Sequence, residues 1–372
     1  MYEHQGLQDV FFIMLYGSAA MMALLAAVYL VLRNGNALAP SIKSSHQLRC
    51  WAAAFLTAVA ASHIWWYVLG IYWLTEDRLL RNIIAISLDR LTLVPLMMCI
   101  LLRMLQDRHR SLRSIAAAMV PFAVIAVVSM VTHDKNYELY TECYSLLLCF
   151  FFLINYILAL RHYGRWLRDN FADLEHKEVW QSMALFSFIL VVYLVYTLSG
   201  GTLFTEYLAQ VFTIFIIAFV VWRIETLQEL KVVETDDVVV NPDGISINEK
   251  TSSTVVTPEN IGEMLQKYCI NRKVYLLEDL TLTQLSEIIG TNRTYLSQYF
   301  ALQKITYNAY INNLRIEHFV HLYNRAVQSG KPFTTRSLVY QCGFKSYSTF
   351  AFAFKQSKGL TLTKWTKGQR VE

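Results

Sequence analysis

The chain has 372 residues, enough for two or three domains. Hydrophobic residues make up 55% of it and charged residues only 16%, far below the roughly 25% charged of an ordinary soluble domain, which sets aside a wholly soluble protein and points to a membrane. The net charge of +5 is unevenly spread: residues 1–222 hold 15 basic and 14 acidic side chains, residues 223–257 hold 3 and 7, and residues 258–372 hold 15 and 7. The basic excess therefore sits in the last third, where phosphate contacts would need it.

Apolar runs of bilayer-crossing length occupy residues 10–32, 51–74, 83–105, 115–132, 142–160, 180–199 and 202–222. The first is too long for a signal-peptide core, and no Lys or Arg precedes it. Seven spans are expected. Connections after the first, third and fifth runs, with Arg103 at the end of the third run, carry 11 basic residues, among them Arg49 and Lys177, against 3 on the other side, Arg78, Arg81 and Lys135. This imbalance places the N-terminus outside and the C-terminus in the cytoplasm, as in a multi-pass protein of a bacterial inner membrane. Trp51, Trp73, Trp180 and Trp222 lie at run ends, where indole rings anchor at the interface.

Ionisable side chains inside a span mark functional sites by default. Asp89 and Arg90 in the third run and His63 in the second are the sensor candidates, and Asn155 lies in the fifth. Neighbouring residues on a helix do not face each other, so Asp89 and Arg90 each need a separate partner. Pro95 and Pro121 fall within runs, where they bend helices. The alternative to sensing is polar contact that only holds helices together.

Residues 223–233 extend the last run with Ile224, Leu227 and Leu230 on one side of an amphipathic helix, and residues 234–256 read as a flexible acidic tether. Domains are thus expected at 1–222, 223–256 and 257–372. The six cysteines show no CxxC pair and no His at zinc spacing. No metal, cofactor or catalytic constellation is indicated.

The last domain repeats one pattern. Leu282, Leu285, Ile288 and Ile289 end at Gly290, and Asn292 opens a second run through Phe300; Leu338 and Val339 lead to Gly343, and Ser346 opens a run through Lys355. Glycine closes the first helix of each pair, and Asn292 or Ser346 caps the second. The pairs Leu296–Phe300 and Phe350–Phe354 set one apolar stripe inward. Arg293, Thr294, Ser297 and Gln298 then face outward in the first copy and Tyr347, Ser348, Ala351 and Phe352 in the second, with Lys345 and Lys355 as further candidates for DNA contact. Residues 306–327, without Gly or Pro, read as a long helix joining the copies.

Leu280-Thr281-Leu282-Thr283-Gln284-Leu285 with Tyr295-Leu296-Ser297, Leu314-Arg315-Ile316-Glu317, Gly343-Phe344-Lys345-Ser346 and Phe354-Lys355-Gln356-Ser357-Lys358-Gly359-Leu360-Thr361 resemble the AraC/XylS family of transcription regulators over about the last third of the chain. The resemblance implies two DNA-binding helix-turn-helix units and transcription control, with double-stranded DNA and RNA polymerase as partners. Val339 is larger than the family's usual residue, Leu362 follows Thr361 where the family has Pro, and Phe352 stands where a basic side chain is common. The first unit is accordingly expected to read bases more sharply than the second. The expected fold is all-α: a seven-helix transmembrane bundle, then a cytosolic all-α domain of two helix-turn-helix units joined by a long helix. The expected function is a membrane-embedded, DNA-binding transcription regulator, not an enzyme, coupling an unknown small-molecule signal to transcription, with a homodimer as one arrangement. The competing readings are a transporter or membrane enzyme with a regulatory cytosolic domain, and a membrane-anchored DNA-binding protein that senses nothing.

Overall fold

Within a bilayer each backbone N–H and C=O must be satisfied inside its own segment, and a helix does this. The computed structural model describes residues 9–33, 35–70, 77–134, 136–198, 203–230, 258–330 and 332–368. A helix stands at each apolar run: α1 Val10–Leu32, α2 His46–Gly70, α3 Arg78–Met104, α4 Arg113–Thr132, α5 Tyr137–Asn170, α6 Trp180–Leu198 and α7 Leu203–Thr226. Among the described residues six of these are long and apolar enough to cross a membrane, and α6 contributes the apolar stretch Trp180–Val192. Among the described residues the fold is all-helical, the one β feature being an isolated bridge between Phe171 and Thr281.

α1 shows the arrangement expected of a helix in lipid. Its inward residues Ala19, Ala23 and Ala27 are small and buried, while Phe11 and Leu32 are more than 70% exposed. Small residues let α2 approach closely, and the large apolar ones face outward. Arg49, expected from the sequence to lie in a connection, stands in the first turn of α2, is buried and donates to the carbonyls of Leu30 and Arg33 and to Asn36 Oδ1 and Ser44 Oγ. It thereby occupies carbonyls at the end of α1 that have no helical partner.

The amphipathic extension beyond the last run is corrected. α7 ends at Thr226, and the next residues leave the helix to bond with loops: Gln228 N–H to the His176 carbonyl, Glu229 N–H to the Lys43 carbonyl, and Leu230 N–H to Gln106 Oε1. Ile224, Leu227 and Leu230 are nevertheless all buried. The acidic tether, residues 234–256, and Trp73 lie outside the described residues.

The chain divides into two compact units, Met1–Tyr163 with His176–Val232, and Gly164–Glu175 with Val233–Glu372. The second unit therefore includes the last turns of α5 and the loop after it. Its described C-terminal helices are α8 Pro258–Met264, continued by a π-helical turn Leu265–Ile270, then α9 Leu282–Ile289, α10 Arg293–Leu302, α11 Tyr307–Ser329, α12 Thr335–Gln341, α13 Tyr347–Lys358 and α14 Leu362–Gly368. α11 is capped by Thr306 and shared by two cores: Tyr307 and Ile311 pack with Leu285, Leu296 and Phe300, while Ile316, Phe319 and Tyr323 pack with Val339, Phe350 and Phe354. Ala172, from the loop after α5, is fully buried in the first of these cores.

Candidate functional site

Each helix pair in the second unit is built as its sequence dictates. Gly290 ends α9 at φ 78°, and Asn292 Oδ1 accepts from the Thr294 amide at the start of α10. Gly343 has φ 80°, one residue beyond the cap of α12, and Ser346 Oγ accepts from the Thr349 amide. Thr281 and Gln284 add a reciprocal capping box to α9. With Leu296, Phe300, Phe350 and Phe354 buried, the opposite faces are presented outward.

Those faces carry most of the residues singled out from sequence. Thr294, Ser297, Gln298, Lys345, Tyr347, Ser348 and Lys355 are exposed, while Arg293 is half-buried. Phe352, which offers no donor, is 73% exposed on the outer surface of α13. The arrangement supplies polar and cationic groups along two separate short helices, each sharply started and each backed by its own core.

Sequence reasoning missed what touches these groups. Asn170 Oδ1, at the end of α5, accepts from Arg293 Nη2 at 2.7 Å and Nε at 3.2 Å. Burial lowers the Arg293 pKa from its ordinary value. Glu175 accepts from Thr349 Oγ1 at 3.2 Å, and Lys345 forms an ion pair with Asp279. Asn308 Nδ2 donates to the carbonyls of Ala172 and Phe171, and the Ala172 amide donates to the Leu280 carbonyl. Nothing in the local pattern of residues 164–175 announces a place in this unit, because the contacts are separated by more than 100 positions.

No family model, curated protein or solved structure matches the chain. Its sites are therefore read from their own chemistry.

The first unit contains a half-open cavity of about 500 Å³ lined by all three sensor candidates, His63, Asp89 and Arg90. Each helix contributes a stripe at helical spacing. α2 gives Phe55, Val59, Ser62, His63 and Trp66; α3 gives Asn82, Ile86, Asp89, Arg90, Leu93 and Met97. α5 gives Glu138, Glu142, Ser145 and Cys149, and α7 gives Glu206, Gln210, Thr213 and Ile217. Sequence reasoning passed over Glu138, Glu142, Ser145 and Glu206; the signal for the first three was their spacing, Glu138 and Glu142 being four apart with Ser145 three further on.

Asp89 is held by three donors: Ser62 Oγ at 2.6 Å and Trp65 Nε1 at 3.2 Å on Oδ1, and Trp66 Nε1 at 2.7 Å on Oδ2. It thus orients the indole of Trp66, which lines the cavity. His63 Nδ1 lies 2.8 Å from the Val59 carbonyl, which only accepts, so Nδ1 carries a ring proton; Nε2 lies 3.0 Å from the Gln210 side-chain amide. Tyr16 donates to the His63 carbonyl. Asn155, by contrast, is exposed and donates back to the Phe151 carbonyl of its own helix. Among the described residues no group of three His, Cys, Asp or Glu side chains converges for a metal. Burial pushes the Cys269 thiol up to about 11 and the Cys342 thiol up to about 12, which leaves both protonated and unreactive.

Proposed function

We propose that the protein is a membrane-embedded, sequence-specific DNA-binding transcription regulator of AraC type, whose membrane half senses a small molecule. The observation that carries this reading is the pair of N-capped helices, α10 and α13, each turning a polar face outward from its own core in a unit whose residues 258–372 hold 15 basic against 7 acidic side chains. Arg293, Thr294, Ser297 and Gln298 read the first groove segment. Lys345, Tyr347, Ser348 and Lys355 position the second, with Phe352 reading little.

Seven spans in a bacterial inner membrane, N-terminus outside and C-terminus cytoplasmic, fit this reading. Parity supports the count. Ala172, which follows α5, packs in the same core as Leu285 and Phe300, which follow α7, so the chain between them crosses the bilayer an even number of times. Since α7 has the length and composition of a span, α6 crosses as well.

α5 offers a route for the signal. It carries the cavity-lining face Glu138, Glu142, Ser145 and Cys149 near its start and Asn170 at its end. An axial or rotational shift of this helix withdraws Asn170 from Arg293 and frees the guanidinium for DNA. RNA polymerase and a second copy of the chain are the further partners of this reading.

The test is DNA selection on the full chain in lipid nanodiscs. One enriched motif is expected, with affinity falling as salt rises. Gln298→Ala should relax preference at one position at a cost of ~1–3 kcal/mol, while Lys355→Ala weakens all sequences alike. Equal, sequence-independent loss in both variants removes base readout by α10, and absence of DNA binding at low salt removes the function.

A further inference from the structure

The cavity in the first unit is polarised along its length. Asn82, Glu138 and Glu206 lie within the first turns of α3, α5 and α7 respectively, while Met97, Cys149 and Ile217 lie deeper in the same helices. From Glu206 to Ile217 is eleven residues, about 16 Å at ~1.5 Å per residue. One end is therefore acidic and the other apolar. Asp89, Glu138, Glu142 and Glu206 set four carboxylates against the single guanidinium of Arg90 in the lining. Carboxylates surrounded by apolar groups are costly unless a cation offsets them.

A second observation is independent of that charge. Ser145 is only 3% exposed and lines the cavity, and its Oγ has no hydrogen-bond partner among the described residues. A buried hydroxyl without a partner costs about 1–3 kcal/mol, and this one lies one turn along α5 from Glu142, on the same face. Trp66, fixed by its bond to Asp89, adds an aromatic wall suited to a cation.

We propose that the cavity binds a primary ammonium with an apolar body, its N–H groups meeting Glu142 and Ser145 and its apolar part directed toward Met97 and Ile217. A ligand N–H can donate both to the Glu142 carboxylate and to Ser145 Oγ, whereas a quaternary ammonium can donate to neither. This identifies the chemical class of the signal and rests on the sensor reading of the membrane half.

The experiment uses the full chain in dodecyl maltoside micelles, which contain no ammonium headgroup. Hexylammonium, hexyltrimethylammonium, hexanol and hexanoate are titrated while tryptophan fluorescence and the unfolding temperature are followed. Hexylammonium is expected to bind saturably and at least about tenfold more tightly than hexanol or hexanoate. Ser145→Ala should weaken hexylammonium about tenfold and hexyltrimethylammonium far less; Glu142→Gln should weaken both. Ser145→Leu, which puts an apolar side chain where the ammonium is placed, should abolish hexylammonium binding in protein that still unfolds cooperatively. Equal binding of hexanol, tighter binding of hexanoate, or no saturable binding of any probe overturns the proposal. DNA affinity of the same preparation is a separate readout: if it stays constant while cation-selective binding saturates, the sensor coupling fails and the ligand class stands.

Discussion

Gly290 and Gly343 adopt the same left-handed backbone, with φ of 78° and 80°, yet they differ in what surrounds them. A Cβ on Gly290 would meet nothing within 4 Å, whereas one on Gly343 would lie 2.5 Å from the Leu276 carbonyl oxygen. Gly290→Ala should therefore cost only the left-handed strain, ~1–2 kcal/mol, and Gly343→Ala about 3 kcal/mol or more once the clash with backbone is added. Pulse proteolysis of the full chain, read at a C-terminal tag, checks the ranking; equal losses would show that Leu276 moves aside. Arg315 is the other residue on which the second unit depends. It is 1% exposed, and its Nε and Nη2 each donate at 2.7 Å, to the carbonyls of Tyr275 and Leu277, with the guanidinium 5.5 Å from the Phe344 ring centroid. It so ties the segment before α9 to the residue after Gly343. Arg315→Leu leaves two carbonyls unsatisfied and should destabilise by ~2–4 kcal/mol. Arg315→Lys should recover little, because one ammonium lacks the fork that reaches both oxygens.

Among the elements, the loop after α5 has the largest consequence. Its Ala172 is buried in the core formed by α9, α10 and α11, and Asn308 on α11 donates to two of its carbonyls, at 2.7 and 3.2 Å. Removing that donor should loosen the loop without disturbing α11, since Asn308 is only partly buried. Asn308→Ala is expected to speed amide hydrogen exchange at Ala172 about tenfold, the effect of ~1.4 kcal/mol, while the amides of α11 keep their protection. If the Ala172 amide is unaffected, its bond to the Leu280 carbonyl is enough to hold the loop. The same loop bears on Arg293. With Asn170 accepting from the guanidinium, any anion offered to Arg293 would have to displace the end of α5, a competition that a fragment starting at residue 257 would lack.

At the scale of the molecule, the topology can be tested directly. Alkaline phosphatase fused after Thr75, Asp134 or Gly200 should be active, and fluorescent protein fused after Asn34, Asp107, Asn170 or Thr235 should fluoresce. The Gly200 fusion is decisive for α6. Phosphatase activity there establishes the crossing, and its loss together with activity after Thr235 would place the basic unit outside, away from DNA.

The sequence by itself determined where the apolar helices stand, though not where α7 ends. Apolar runs in a bilayer have one way to satisfy their backbone, and local capping by Thr281, Asn292, Thr306 and Ser346 depends on neighbours within a few residues; both are legible in a one-dimensional string. The exposed faces of α10 and α13 followed from the burial of Leu296, Phe300, Phe350 and Phe354 at i,i+4 spacing. Tertiary structure alone decided which polar groups meet. Asp89 found Ser62, Trp65 and Trp66, and His63 met Gln210, 147 positions away. It also decided that Ala172 belongs with the C-terminal helices. Helix periodicity fixes the face a side chain occupies on its own helix, whereas the partner across a cavity depends on how separate helices rotate and register against each other, and no local pattern encodes that.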